Sequence, residues 1–195
     1  MIAVVFGIPG VGKSTIVNRV KDKLNLVYIH PGNIMYEIAT NKGLVENVDQ
    51  MRKLKLPDQQ SLQEEMARVV ASLINSRPTD SFIIDTHAIV KTPQGFFPGL
   101  RNAFFNVVKP DIYLVVESRP EMILQRRMAD KDRVRQDDHS LNEILLHIDL
   151  TRDFASAYSI YSQANFAVIE NKEGDIEYAV NEMSGIISRY MEYSR

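Results

Sequence analysis

The sequence predicts a doubly wound α/β domain, in which a five-stranded parallel sheet carries helices on both of its faces. Short apolar runs alternate with longer amphipathic segments along the chain, which is typical of parallel strands joined by right-handed helical crossovers. The chain has 195 residues, of which 45% are apolar, and this suffices for one domain with a sizeable core. We therefore expect a single domain over residues 1–195.

Each element follows from a local pattern. Five apolar runs are predicted to be strands, and they occupy residues 2–6, 26–30, 81–85, 111–117 and 165–170. Between the second and third strands, apolar residues recur at helical spacing after Pro57 until Pro78 ends the helix. Ser140 and Glu143 have the spacing of a capping box, which predicts the start of a second long helix. The last helix is predicted to follow Gly174.

Composition excludes several kinds of protein. The net charge of −2 argues against a nucleic-acid-binding surface, because a phosphate backbone is bound by a clustered positive field. The sequence has no cysteine, which excludes disulfides, thiolate metal sites and a cysteine nucleophile. No apolar stretch approaches the roughly 20 residues that span a bilayer, and the N-terminus shows no targeting region. We therefore expect a soluble cytoplasmic protein without nucleic-acid or membrane partners.

A phosphate-binding loop joins the first predicted strand to the first predicted helix. It reads Gly7-Ile8-Pro9-Gly10-Val11-Gly12-Lys13-Ser14-Thr15. The glycines let backbone N–H groups turn toward phosphate oxygens, and the helix that follows adds its positive end. Lys13 would reach the β- and γ-phosphates, and Ser14 would hold Mg²⁺. The loop predicts binding of a nucleoside triphosphate, but switch GTPases, motor ATPases and kinases all use it, so it names no reaction.

A carboxylate ends the third predicted strand, at the sheet edge where ligands of such domains bind. Asp85 would lie beside the phosphate loop and hold the water shell of Mg²⁺, although it could instead cap the following turn. His87 lies two residues further along, and its position fits a turn residue as well as a substrate contact. Both residues are candidates for a functional site.

Arginines in three further segments are candidates for binding phosphate groups. Arg52 lies in a short segment after the second strand, where it is either an exposed helix residue or grips a second phosphate. Arg126 ends the helix that leaves the fourth strand, and Arg133 and Arg135 lie in a polar stretch predicted to be a loop. Arg152, on the next helix, would point toward the same space. These charges suit phosphoryl transfer, whose loose transition state needs positioning and positive charge more than a base.

These motifs together resemble the archaeal-type adenylate kinases, a branch of the nucleoside monophosphate kinases. Besides the phosphate loop, the matching segments are Asp49-Gln50-Met51-Arg52-Lys53-Leu54, the stretch from Ile84-Asp85-Thr86-His87 to Pro98-Gly99-Leu100, Pro110-Asp111-Ile112 and Asn171-Lys172-Glu173-Gly174. The phosphate loop is shared by many families, whereas the stretch from Asp-Thr-His to Pro-Gly-Leu is specific to this one. The similarity covers nearly the whole chain.

The resemblance implies reversible phosphoryl transfer from Mg·ATP to AMP, giving two ADP. It implies a three-layer P-loop kinase fold with a helical AMP-binding insert at roughly residues 31–60, a short lid at roughly 128–140, and assembly as a homotrimer. ATP and AMP are the implied small-molecule partners, and Mg²⁺ is the implied cofactor. No covalent intermediate and no general base are implied.

The resemblance also assigns roles by position. ATP would be bound by the phosphate loop, with Asn171 and Gly174 against its base. Ser14 and Asp85 would hold Mg²⁺, partly through water. The residues expected around the transferring phosphoryl group are Lys13, Arg126, Arg133, Arg135 and Arg152. The candidate AMP contacts are Arg52, Lys91, His87 and Asn33, although Asn33 could instead cap the helix after the second strand.

Three other functions stay open. The nearest is a sister kinase that acts on CMP, UMP or a deoxynucleotide, because base choice depends on a few contacts in the acceptor pocket. A second is a related kinase with weak catalysis and a role in assembly or regulation. The third is a P-loop switch that hydrolyses nucleotide without a second substrate, although the sequence contains no Asn-Lys-x-Asp motif for reading guanine.

Overall fold

The computed structural model describes residues 1–92, 94–129 and 140–193. In chain order, its strands are β1 (Ile2–Phe6), β2 (Val27–Ile29), β3 (Phe82–Asp85), β4 (Ile89–Thr92), β5 (Gly95–Pro98), β6 (Ile112–Glu117) and β7 (Asn165–Glu170). Five of them form a parallel sheet in the order β2-β3-β1-β6-β7, while β4 pairs with β5 in a separate antiparallel hairpin. The predicted fold class is confirmed, and each predicted strand begins and ends within one residue of the observed strand.

Helices connect these strands. They are α1 (Lys13–Leu24), α2 (Pro31–Asn41), a 3-10 helix (Val48–Lys53), α3 (Leu56–Asn75), α4 (Asn102–Val107), α5 (Pro120–Ala129), α6 (Leu141–Ser162) and α7 (Ile176–Tyr193). The capping box predicted at the start of α6 is confirmed, because Ser140 Oγ accepts a hydrogen bond from the Glu143 amide at 3.2 Å. The helices predicted after Pro57 and Gly174 are α3 and α7.

The sheet is covered on both faces, which makes the fold three-layered. On one face, Ile16 of α1 and Met183 of α7 pack into a buried apolar cluster with β1 and β6. On the other face, Met66 of α3 and Phe104 of α4 pack into a second cluster. Burying the sheet between two helix layers explains why its strands are nearly continuous apolar runs.

The predicted insert at 31–60 corresponds to α2, the 3-10 helix and the beginning of α3. Ala39 and Val45 of this segment are buried in a small apolar cluster with Leu62 of α3. Arg133 and Arg135, with most of the predicted lid, lie outside the described residues. Among the helices of the described ranges, none has the length and apolar character needed to cross a membrane.

The hairpin of β4 and β5 is the main departure from the expected structure, since the sequence predicts a loop after Asp85. Its strands are only four residues long, and neither alternates apolar with polar residues, so no period-2 pattern identifies them. A tertiary contact holds its base, where Tyr158 Oη donates to the Ala88 carbonyl at 2.9 Å. Gly99 is needed there, because a Cβ atom would stand 1.8 Å from the His87 carbonyl oxygen. The hairpin therefore depends on packing that the local sequence does not encode.

Candidate active site

The phosphate loop runs between β1 and α1, as the sequence predicts. Gly12 is the N-cap residue of α1 and has a φ of 91°, in the left-handed region that L side chains rarely adopt. A Cβ atom on Gly12 would also stand 2.5 Å from Nδ2 of Asn171. Both the backbone conformation and the close contact therefore require glycine at this position.

Three side chains from other elements hold the carbonyl groups of this loop. Asn171 Nδ2 donates to the Val11 carbonyl at 2.7 Å, and Arg126 Nη1 donates to the same oxygen at 3.2 Å. Arg127 Nε donates to the Pro9 carbonyl at 2.9 Å. The sequence predicts Asn171 against the ATP base and Arg126 at the transferring phosphoryl group. In this structure both side chains instead donate to the loop and help to fix its shape.

Lys13 forms an ion pair with Asp85 beneath the loop. Lys13 Nζ donates to Asp85 Oδ1, and the two side chains are only 7% and 0% exposed. Burial lowers the pKa of Lys13 to about 7, while the adjoining carboxylate favours the charged ammonium. The other carboxylate oxygen, Asp85 Oδ2, accepts a hydrogen bond from Tyr28 Oη at 3.2 Å. Asp85 therefore lies beside the loop, as predicted.

The donor set around the loop fits a magnesium ion. Mg²⁺ prefers hard oxygen ligands and usually keeps several waters, so it is bound through one or two protein oxygens together with substrate phosphates. Ser14 follows Lys13 and is exposed at the start of α1, and Asp85 supplies a carboxylate at the carboxyl end of β3. A hydroxyl and a carboxylate at this edge are compatible with a water-coordinated Mg²⁺.

Two histidines flank the ion pair. His87 Nδ1 lies 3.2 Å from the Gly7 carbonyl oxygen, a contact that a neutral imidazole makes by donating from Nδ1. Burial, followed by the charge of Lys13, lowers the pKa of His87 to about 3. The same two causes lower the pKa of His30. Both rings are therefore neutral at pH 7.

Acid is expected to destabilise the protein through His87. Its pKa is 6.5 before folding and about 3 in the folded state, so the unfolded chain binds the extra proton between these values. The free energy of unfolding therefore falls as the pH drops below 6.5, by up to about 1.4 kcal/mol per pH unit for this one group. Urea unfolding between about pH 7 and 5 measures the slope, which we expect to be smaller in His87→Asn. Equal slopes in the two proteins would contradict the prediction.

Three further candidate AMP contacts, Arg52, Lys91 and Asn33, lie on the 3-10 helix, β4 and α2. Arg52 is exposed on the 3-10 helix, and this helix packs against β4, which carries Lys91. Lys91 Nζ lies 3.6 Å from Glu143 Oε1. The expectation that Asn33 caps α2 is wrong, because His30 is the N-cap residue and its Nδ1 accepts the Asn33 amide at 3.0 Å. The exposed side chain of Asn33 stays a candidate for the AMP contact.

Arg152 is held by a carboxylate that the sequence analysis did not assign. Its Nε and Nη2 atoms donate to the two oxygens of Glu117, at 2.8 and 2.5 Å. Glu117 is the last residue of β6, so the pair lies at the carboxyl edge of the sheet. This two-point contact fixes the plane of the guanidinium.

The site thus contains residues that the sequence pattern does not assign, among them Tyr28, Glu117 and Arg127. Glu117 carries a signal of the same kind as Asp85, since both are carboxylates at strand ends. Tyr28 offers a weaker signal, because an aromatic residue in a strand is ordinary. Among the predicted residues, the structure brings Lys13, Asp85 and His87 together beside the loop. Gly174, with a φ of 70°, lies in the turn after β7.

Comparisons with known proteins agree with this geometry. A family model described as an AAA domain matches residues 6–144. The chain is 39% identical to an adenylate kinase of Methanothermobacter thermautotrophicus, over 95% of this chain and 98% of the relative. It is 36% identical to an adenylate kinase of Thermoplasma acidophilum over 96% and 99%, and 38% identical to one of Pyrococcus abyssi over 95% and 94%.

A solved structure supports the fold alone. An unliganded sugar kinase from Janibacter sp. HTCC2649 aligns with 96% of this chain and 94% of its own, with a TM-score of 0.57 and 17% identity. The family follows from the adenylate kinase relatives, which match almost from end to end at 36 to 39% identity. The chain therefore belongs to the archaeal-type adenylate kinase family.

Proposed function

We propose that the chain transfers the terminal phosphoryl group of Mg·ATP to AMP, reversibly, giving two ADP. The observation that carries the proposal is the presence of two separate basic groups in the domain. One is Lys13 in the phosphate loop, and the other comprises Arg52 and Lys91 on elements that pack together. Two nucleotides that each carry phosphates need two such groups.

Each group has a role in this reaction. The bond between the terminal phosphorus of ATP and its bridging oxygen breaks, and an AMP phosphate oxygen forms the new bond. Lys13 and the loop amides hold the donor phosphates, while Arg52 and Lys91 hold the acceptor phosphate. Ser14 and Asp85 would hold Mg²⁺, which neutralises charge on the donor phosphates when bound. Arg133 and Arg135 stay predicted contacts of the transferring group.

Arg152 is proposed to contact the transferring phosphoryl group, with Glu117 as a positioning residue. A guanidinium whose plane is already fixed loses less side-chain conformational entropy when it binds the charged transition state. The Arg152 side chain is 45% exposed, so its ion pair with Glu117 adds little to the free energy of unfolding. Its expected contribution is therefore to the rate.

Replacing Glu117 by glutamine is expected to lower kcat about 10-fold to 10²-fold, with little change in the KM values. The loss arises because glutamine presents an N–H group where Arg152 needs an acceptor. Steady-state kinetics of ADP formation measure the effect. The matched control is Glu170→Gln, because Glu170 pairs with Glu117 in register on the neighbouring strand. Equal kcat values in the two variants would contradict the positioning role.

The acceptor assay tests the proposed function directly. ADP formation from Mg·ATP is measured with AMP, CMP, UMP, GMP and dAMP, each supplied separately. A strong preference for AMP supports the proposal. Preference for another monophosphate would instead indicate a sister nucleoside monophosphate kinase. Hydrolysis of ATP alone at the same rate as with AMP would indicate a P-loop switch and would overturn the proposal.

We further propose that the chain self-associates, with a trimer expected from the family resemblance, and that it acts in the cytoplasm. Exposed apolar side chains toward both ends of α6 support self-association, and they are Leu141, Leu145, Leu146, Ile160 and Tyr161. Such side chains mark interaction surfaces when they form contiguous patches. Sedimentation equilibrium measures the assembly, and a mass of 22.3 kDa, that of one chain, would contradict it.

A further inference from the structure

Asp85 has both carboxylate oxygens occupied by donors from different elements. Lys13 of α1 donates to Oδ1, and Tyr28 of β2 donates to Oδ2 at 3.2 Å. Tyr28 pairs with Ile83 in register, so its side chain lies diagonally opposite Asp85 on the same face of the sheet. Ile83 packs against α1, so Tyr28 and Asp85 lie on the face of the sheet that α1 covers.

Tyr28 is held in place by its own surroundings. Lys21 Nζ lies 5.4 Å from the centroid of the ring, and the His30 ring lies 6.4 Å from it. The side chain is 37% exposed, so its edge is open to solvent while the hydroxyl points inward to Asp85.

In the proposed reaction, one of the two donors leaves the Asp85 carboxylate and the other stays. Lys13 is also the residue expected to hold the donor phosphates, so nucleotide binding draws its ammonium away from Asp85. Without a second donor, the fully buried carboxylate would then be strongly disfavoured. Tyr28 has no such second role and stays on Oδ2.

We propose that Tyr28 is a positioning residue that holds the Asp85 carboxylate through Oδ2, so that Oδ1 remains directed at the metal of the bound nucleotide. This inference rests on the proposed function. As Lys13 turns to the phosphates, Oδ1 becomes available to a water of the Mg²⁺ ion. The Tyr28 hydroxyl prevents the carboxylate from rotating away, as outer partners of metal ligands generally do.

The test is Tyr28→Phe, which removes the hydroxyl and keeps the ring. Calorimetry measures the affinity for the non-hydrolysable analogue AMP-PNP with and without Mg²⁺, a suitable method because the chain has no tryptophan. We expect the affinity for Mg·AMP-PNP to fall about 10-fold while the metal-free affinity is unchanged. The Mg²⁺ concentration that gives half-maximal ADP formation should rise by a similar factor, with an unchanged KM for AMP.

Tyr178→Phe is the matched control. Tyr178 is 39% exposed, and it also has a lysine over its ring, Lys172 at 3.4 Å. Thermal unfolding of each variant verifies that the fold is retained. Equal Mg²⁺-dependent affinities in wild type, Tyr28→Phe and Tyr178→Phe would overturn the inference. If the wild type makes no ADP from AMP, the proposed function fails, while the calorimetric comparison still decides the role of Tyr28.

Discussion

Replacing Lys13 by alanine is expected to lower ADP formation from ATP and AMP by about 10³-fold or more. Lys13 is the charged residue of the phosphate loop, and a positioned donor that meets developing charge contributes about 10² to 10³ in rate. Here the donor is an amine that pairs with a carboxylate in a buried site, where electrostatic interactions are stronger than in water. Both nucleotide binding and the rate should therefore suffer.

The same substitution is expected to destabilise the fold. Removing Lys13 leaves the fully buried carboxylate of Asp85 without its counter-charge, and breaking one partner of a buried ion pair costs about 3 to 5 kcal/mol. A loss of activity could then reflect unfolding. The double variant Lys13→Ala/Asp85→Asn separates these effects, because neutralising Asp85 should recover part of the free energy of unfolding and none of the activity.

Lys23→Ala provides the control on the same helix. Lys23 is exposed at the end of α1 and donates to Asn181 Oδ1 at 2.8 Å, away from the phosphate loop. The Lys23→Ala variant should form ADP at the wild-type rate. The prediction for Lys13 is wrong if Lys13→Ala retains more than about a tenth of wild-type activity at a temperature where it is folded.

Replacing Gly12 by alanine is expected to weaken ATP binding at least about 10-fold. An L residue at a φ of 91° is strained, by about 1 to 2 kcal/mol, and the new Cβ would stand 2.5 Å from Asn171 Nδ2. Either the loop shifts or Asn171 gives up its hydrogen bond to Val11. Both outcomes disturb the N–H groups that bind phosphate.

A double variant separates strain from collision. Gly12→Ala/Asn171→Ala removes the amide that the Cβ would meet, so it should bind ATP more tightly than Gly12→Ala alone and more weakly than wild type. Gly43→Ala reports the stability cost of a positive φ alone, because Gly43 has a φ of 68° with nothing within 4 Å of its would-be Cβ. Calorimetry and urea unfolding measure these effects. Additive losses in the double variant would rule out a collision with Asn171.

The elements that the sequence predicted correctly have strong local or periodic signals. The five strands are continuous apolar runs because both faces of the sheet are buried. Ser140 and Glu143 predict the start of α6, since the residues of a helix cap lie within one turn of each other. The short hairpin after Asp85 was missed, because a contact from Tyr158 and the close approach of Gly99 to His87 hold its base.

The residues of the site also divide into those that the sequence predicts and those that only the fold brings together. The phosphate loop, its lysine and the strand-end carboxylate can be predicted from local sequence, because spacing along the chain fixes which residues follow a strand and open a helix. The folded domain is needed to show that Asn171 and Arg126 hold the Val11 carbonyl, that Glu117 holds Arg152 and that Tyr28 holds Asp85. These partners lie 35 to 160 residues apart in the chain, so no local sequence pattern predicts their contacts. They are brought together by the order of the strands, which depends on the packing of the whole domain.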